Sequence, residues 1–447
     1  MNQNQPTILL TPLRTALLVG HDNQIHVLVR VQAPDRPQGD ASRRLPCHLA
    51  LVLDRSGSMS GEPLAEALRC ARHMVERLET GDRAALVVFD HGVDVLTPLI
   101  GAGEKQAFLS QLEMIREGGN TNLHGGWAAG AAELAGVCEQ AGLSRVILLS
   151  DGNANAGETR LDRIIGQCAE RAAAGVTTST YGLGRSFNED LMVAMAQAGQ
   201  GNHYYGETAN DLFEPFATEF DLIANLYARG VRLTLTPAPG VELSLLNDYR
   251  ALPDSSGWQL PDIAWGSEAW ALLSLRVPSA LTGQGSVPLL QASVSGVDLE
   301  GRPVDFPVQS LALPPLGATA YAAIAEDTLV ARRRGELEAA RHLGEARVAA
   351  SQGDWRSVER ILQRVETELS ENPWLAQVID TIRRIAQGRD AERFLKEARF
   401  SERSLTSRLS SKEETLYACV EEELGVPSFL RRKRAQGQAE SPSGGEA

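Results

Sequence analysis

The stretch Leu51-Val52-Leu53-Asp54-Arg55-Ser56-Gly57-Ser58-Met59 places one carboxylate and two hydroxyls at alternate positions where an apolar run ends. All three donors are oxygen, the type a hard divalent cation prefers, and Gly57 allows a turn tight enough for them to converge. An ion such as Mg²⁺ wants about six oxygens, so further donors must come from elsewhere. Thr121 stands in the polar loop Gly118-Gly119-Asn120-Thr121-Asn122 before a helical pattern, and Asp151 follows the apolar run Arg145-Val-Ile-Leu-Leu-Ser150. Strand ends of an open α/β sheet face one crevice, where ligands bind, so five oxygen-bearing side chains can meet there. An Asp-x-Ser-x-Ser triplet by itself serves equally well as a helix cap. The three pieces in order favour a metal.

This constellation, Asp54-x-Ser56-x-Ser58 followed by Thr121 and Asp151, resembles the metal-ion-dependent adhesion site of von Willebrand factor type A domains over about residues 46–226. The resemblance implies a bound Mg²⁺, with Mn²⁺ or Ca²⁺ as alternatives. It also implies that Ser56, Ser58 and one of Thr121 or Asp151 coordinate directly, while Asp54 and the remaining group act through water. One position is then left for an Asp or Glu carboxylate of a partner protein. The family further couples metal geometry to displacement of its last helix, which here falls at Asp211–Leu226; a rigid strut between domains is the alternative.

The elements that must position these residues alternate as a doubly wound, Rossmann-like α/β domain should. Helices are expected near 62–78, 104–115, 127–138, 159–174 and 188–198, and strands at Arg83–Asp90, Val93–Leu96, Val176–Gly182 and Asn202–Tyr205. Residues 227–315 change character to short strand-like runs between Pro and Gly turns, the pattern of a β-sandwich. Strand-like Thr15–Val19 and Gln24–Val31, within residues 1–45, have no helices of their own to pack on. They are expected to join that sandwich, so that the α/β domain of residues 46–226 is inserted in it, as in integrin β subunits and inter-α-inhibitor heavy chains. A C-terminal α-helical region follows over 316–430, with helices at Tyr321–Ala350, Trp355–Ser370, Trp374–Gln387 and Ser404–Leu424, and a Gly/Ser/Glu-rich tail over 431–447 reads as disordered.

Composition excludes several classes of function. The formal charge is −14, and residues 46–226 hold 12 Lys plus Arg against 24 Asp plus Glu, which disfavours nucleic acid as a partner. Cys47, Cys70, Cys138, Cys168 and Cys419 form neither a zinc spacing nor a disulfide framework. No apolar run reaches bilayer length and Met1–Pro6 lacks a secretory pattern, so the expected compartment is the cytoplasm. The excess of arginine over lysine suggests a GC-rich bacterial genome. His124 beside Thr121 reads as a surface group rather than a general base, Asn120 and Asn153 as loop-ordering residues, and Gly182-Leu-Gly184 lacks the third glycine of a dinucleotide motif. Trp258, Trp265 and Trp270 read as sandwich core.

The expected function is a non-enzymatic, metal-dependent protein-interaction module, with an adaptor for an AAA+ ATPase as a subclass. The rival is a phosphotransferase or hydrolase using Asp54 as nucleophile. A dehalogenase-type phosphatase loop would place a second acid at position 56, where this chain has Ser56.

Overall fold

A computed structural model describes residues 5–35, 46–138, 142–151, 154–183, 188–206, 225–252, 257–283, 285–368, 373–407 and 410–411. The chain divides into two compact units, one built on Ala41–Leu226 with Leu299–Arg302, the other on Met1–Asp40, Tyr227–Asp298 and Pro303–Arg431. The first strands are β1 (Thr7–Pro12), β2 (Leu17–Leu18) and β3 (Asn23–Gln32). β1 pairs antiparallel with β3. The N-terminal strands start at Thr7, only Leu17–Leu18 of the expected Thr15–Val19 run is strand, and Gly20–Asp22 leads into β3.

The first unit holds β4 (Cys47–Asp54), β5 (Arg83–Phe89), β6 (Val93–Gly101), β7 (Leu143–Ser150), β8 (Val176–Leu183) and β9 (Gln200–Gly206). They form one sheet in the order β6-β5-β4-β7-β8-β9, all parallel except β6, which runs antiparallel to β5. Helices α1 (Glu62–Glu76), α2 (Lys105–Met114), α3 (Leu123–Ala135), α4 (Leu161–Ala173) and α5 (Glu189–Ala198) lie between them in sequence. β4, β7 and β8 are buried at every position, as the central strands of a sheet covered on both faces must be. Leu49, Leu51 and Leu53 of β4 pack with Ala67, Cys70 and Met74 of α1. On the opposite face, a side chain at Gly130 would sit 2.4 Å from Val52 and one at Gly126 would sit 2.3 Å from Phe89, so this pair of glycines lets α3 lie directly on β4 and β5. β6 runs on to Gly101 through Thr97-Pro98, where the sequence suggested an end. Proline is tolerated because β6 is an edge strand, and the register with β5 shifts around Leu86.

The second unit continues with β10 (Leu226–Pro237), β11 (Glu242–Leu245), β12 (Trp258–Gln259), β13 (Ile263–Ala264), β14 (Ser267–Val277), β15 (Val287–Val297), β16 (Pro303–Asp305), β17 (Gln309–Leu313), β18 (Pro315–Leu316) and β19 (Ser410–Ser411). One sheet runs β1-β3-β14-β11, with β19 also on β14. The other runs β12-β10-β15-β16, with β17 also on β15. Ten residue pairs join β3 to β14, from Gln32↔Glu268 to Asn23↔Val277, so strands that flank the α/β insertion in sequence are neighbours in one sheet. Val27, Val29 and Val31 of β3 meet Leu233, Leu289 and Ala292 of the other sheet in the sandwich core. The alternate residue Leu28 joins Trp270, Leu272, Leu329, Val330 and Leu337 in a second cluster on the outer face.

That second cluster is closed by α6 (Thr328–Ser351), the first of four long helices completed by α7 (Trp355–Glu368), α8 (Pro373–Gln387) and α9 (Ala391–Ser407). Their shared core includes Leu343, Leu362, Ile379 and Phe394. The single helix expected over Tyr321–Ala350 is divided into a short helix at Ala318–Ala322 and α6, because the Asp327 carboxylate accepts the Val330 N–H and caps a new helix there. α9 begins at Ala391, a start absent from the sequence reading, where Asp390 accepts the Arg393 N–H; of the helix expected over Ser404–Leu424, residues 404–407 end α9, Ser410–Ser411 are strand and 412–424 lie outside the described residues. The Asp211–Leu226 helix falls outside the described residues up to 224, and Leu226 opens β10. Cys419 and the tail also lie outside the described residues.

Candidate metal centre

The strand order reverses between β4 and β7: from β4 the chain moves outward to β5 and β6, then returns to the far side of β4 and moves outward again. This is a topological switch point, and the ends of β4 and β7 face the crevice it creates. Leu53 pairs with Leu149, so Asp54 and Ser150 end adjacent strands and Asp151 follows directly. The sequence thus delivers two acids to one place through strand register.

Asp54 is fully buried. Its Oδ1 accepts the Ser56 N–H at 2.8 Å and its Oδ2 accepts the Ser150 hydroxyl at 2.5 Å. Ser56 is buried and its Oγ lies 3.1 Å from the Oγ of exposed Ser58, so the two hydroxyls are neighbours leading outward from the acid. The turn Gly57–Met59 between them is fastened by buried Met59. Thr121 is buried as well, with its N–H given to Asn155 Oδ1 at 2.8 Å and its carbonyl accepting the N–H groups of Asn155 and Ala156. The Thr121 loop is laced to the Asp54 loop by Gly57 N–H to Gly119 O, 3.0 Å, and Gly118 N–H to Arg55 O, 2.6 Å. Asn122 then caps α3 by accepting the Gly125 N–H. Asp54, Ser56, Ser58, Thr121 and Asp151 are therefore all carried to the same end of the sheet.

Burial pushes the Asp54 carboxyl up to about 6; hydrogen bonds from Ser150 and Ser56 oppose the shift and the nearby charge of Asp151 adds to it. No basic side chain among the described residues pairs with Asp54. A buried carboxylate offset only by neutral donors favours a cation from outside, and two carboxylates with three hydroxyls are the donors a hard divalent ion takes. Among the described residues no group of three or more His, Cys, Asp or Glu is placed to hold a metal ion, and the donors here are two carboxylates and three hydroxyls rather than a His/Cys zinc set. The residues present fit a magnesium-type ion.

Of the neighbouring residues, His124 turns to Gln167, its Nε2 2.7 Å from Oε1, and its ring lies beside Trp127. Asn120 is exposed, while Asn153 and Gly184 lie outside the described residues. Trp270 is buried in the outer cluster, Trp265 packs edge-on against Tyr227 and Trp258 is in β12. Sequence reasoning missed Ser150, Asn155 and Asp90. Only Ser150 had a local signal, a hydroxyl at the strand position next to Asp54.

The family model for the von Willebrand factor type A domain matches residues 48–217. An uncharacterized protein of Synechocystis sp. is 28% identical over 280 residues, 60% of this chain and 65% of its own length. Inter-alpha-trypsin inhibitor heavy chain H2 of Sus scrofa is 24% identical over 180 residues, 38% of this chain and 19% of its own. The chain thus spans less than two thirds of the length of either relative. The solved structure of a von Willebrand factor type A protein from Catenulispora acidiphila superposes with a TM-score of 0.66 at 16% identity, covering 85% of this chain and 89% of that one, a likeness of fold. Among the described residues, no helix is long and apolar enough to cross a membrane. Residues 48–217, the Rossmann-like α/β domain of this chain, are a von Willebrand factor type A domain.

Proposed function

We propose that the protein is a metal-dependent interaction module in which Asp54, Ser56, Ser58, Thr121 and Asp151 hold a divalent cation, Mg²⁺ first, and an Asp or Glu of a partner protein completes the site. The observation that carries this reading is the buried Asp54 carboxylate, pushed up to about 6 and paired with hydroxyl and amide donors only. A bound cation supplies the positive charge that these donors lack and an acceptor site for an outside carboxylate. The chain's own part is to hold Asp54 through Ser150 and Ser56, to present Ser58 at the surface, and to fix Thr121 through Asn155. Family members often bind a divalent metal and often mediate protein interactions, which supports the same reading.

A nucleophilic role for Asp54 is disfavoured by its neighbours: the second acid that a dehalogenase-type phosphatase loop places two residues on is Ser56 here. The test is capture of partners from a lysate in Mg²⁺ and in EDTA, repeated with Asp54→Ala. Partners held in Mg²⁺ and released by both EDTA and the substitution are expected. Partners retained under all conditions would sink the metal-bridge reading, and phosphoester turnover lost on Asp54→Ala would favour the enzyme.

A further inference from the structure

Arg55 stands between two of the proposed ligands in sequence, yet its side chain leaves the crevice. Its Nε donates to Asp90 Oδ2 at 3.1 Å and its NH2 group reaches Asp94 at 2.6 Å. Asp90 is the residue after β5 and is buried. Its Oδ1 accepts the Gly92 N–H at 2.8 Å and lies 3.1 Å from His91 Nδ1, and its backbone carbonyl accepts the Asn122 N–H at 2.7 Å. Its Oδ2 also fills the space beside Gly118: a Cβ built there would lie 2.0 Å from that oxygen. Gly118 in turn donates its N–H to Arg55 O. Asp90 thus touches the loop of Asp54, Ser56 and Ser58 through Arg55 and one flank of Thr121 through Gly118 with its carboxylate, and the other flank through Asn122 with its backbone carbonyl.

We propose that Asp90 and Arg55 are positioning residues that fix the spacing between the Ser56–Ser58 hydroxyls and Thr121, and so give the centre its preference for a small ion. The inference rests on the metal-binding reading above. Mg²⁺ demands near-ideal octahedral geometry at short distances, whereas Ca²⁺ accepts longer and more irregular coordination. Loosening the two loops relative to each other must therefore harm Mg²⁺ binding more than Ca²⁺ binding. A general loss of folding lowers both together.

The test is a Mn²⁺ titration followed by electron paramagnetic resonance of the free ion, with Mg²⁺ and Ca²⁺ as competitors and thermal melting of each metal-free variant alongside. Asp90→Asn keeps the shape and the Gly92 contact but loses the charge that holds Arg55. It is expected to weaken Mg²⁺ about 10-fold, the effect typical of residues that orient metal ligands, and to weaken Ca²⁺ by less. Gly118→Ala should reproduce the shift by displacing the carboxylate. Arg55→Gln, at a partly exposed position, should lower the Mg²⁺ to Ca²⁺ ratio with little change in melting. Added to Asp90→Asn, it should cause little further loss, because the two act as one unit. An unchanged Mg²⁺ to Ca²⁺ ratio in Arg55→Gln, or full additivity of the pair, overturns the positioning role. Failure of the unaltered protein to bind Mn²⁺ overturns the metal reading itself.

Discussion

Two regions of the molecule bury carboxylates, and they neutralise them differently. In the sandwich and helical unit, Glu336 lies 2.7 Å from Arg333, both almost completely buried, and the Arg333 guanidinium also stacks over the Trp270 ring at 4.4 Å. On the strand that carries Trp270, Glu268 is held by Arg30 at 2.9 Å and by Gln32 at 2.8 Å. In the α/β domain Asp54 is equally buried, but its partners are a hydroxyl and an amide. Burying an ion costs several kcal/mol unless a counter-charge and hydrogen bonds offset it. The first region carries its cations in the sequence and is electrostatically closed. In the second, Arg55 holds the buried Asp90, but Asp54 meets only dipoles, and burial displaces its carboxyl to about 6. On the metal-binding proposal, the two differ by whether the positive partner is covalently part of the chain.

Substitutions of opposite sign would break this comparison if it is wrong. Glu336→Gln removes the carboxylate paired with Arg333 and should destabilise the sandwich and helical unit by about 3–5 kcal/mol, the usual cost of losing one member of a buried pair. Urea unfolding followed by helical circular dichroism measures it. Asp54→Asn should do the reverse in EDTA. A carboxyl raised from 3.8 to about 6 is stabilising while protonated, and that contribution is present in full below 3.8 and lost as pH rises through about 6. At pH 8 the neutral amide should therefore raise stability by up to about 3 kcal/mol, while at pH 3 the two proteins should melt alike. The same substitution should abolish the increase in melting temperature produced by Mg²⁺. Destabilisation at pH 8 would mean that Asp54 is satisfied as Glu336 is, without a cation.

The contrast also explains what the sequence made legible. Asp54, Ser56, Ser58, Thr121 and Asp151 stood out because donor type and position at strand ends are local properties, and the alternation of strands and helices around them fixed the sheet. The β6 extension past Pro98 was hidden because only tertiary placement at an edge makes proline acceptable there. Asp327 was read as part of a continuous helix, since a capping acid and a solvent-facing acid look alike until the chain direction is known. Arg55, Asp90 and Asn155 escaped notice for a related reason. Their partners are 35 and 34 residues away, and no spacing rule links them. The Arg333–Glu336 pair has ordinary i,i+3 helical spacing, and nothing local marks it as buried beneath a sheet.

The finest division between the two regions lies in the hydroxyl that partly stands in for a cation. The Ser150 O–H given to Asp54 Oδ2 favours the ionised carboxylate, working against burial and the charge of Asp151. Metal binding needs that ionised form, so Mn²⁺ uptake at fixed concentration should rise with pH through about 6. Ser150→Ala removes the donor and leaves the opposing causes in place, so the midpoint of the Mn²⁺ pH profile should move upward, by up to about one pH unit or about 1.4 kcal/mol. The shift should vanish well above the midpoint, where Asp54 is ionised in both proteins, and this separates a displaced titration from a damaged site. An unmoved midpoint would assign the hydroxyl no part in holding the charge, and the contrast with the arginine-held carboxylates would then rest on the bound ion alone.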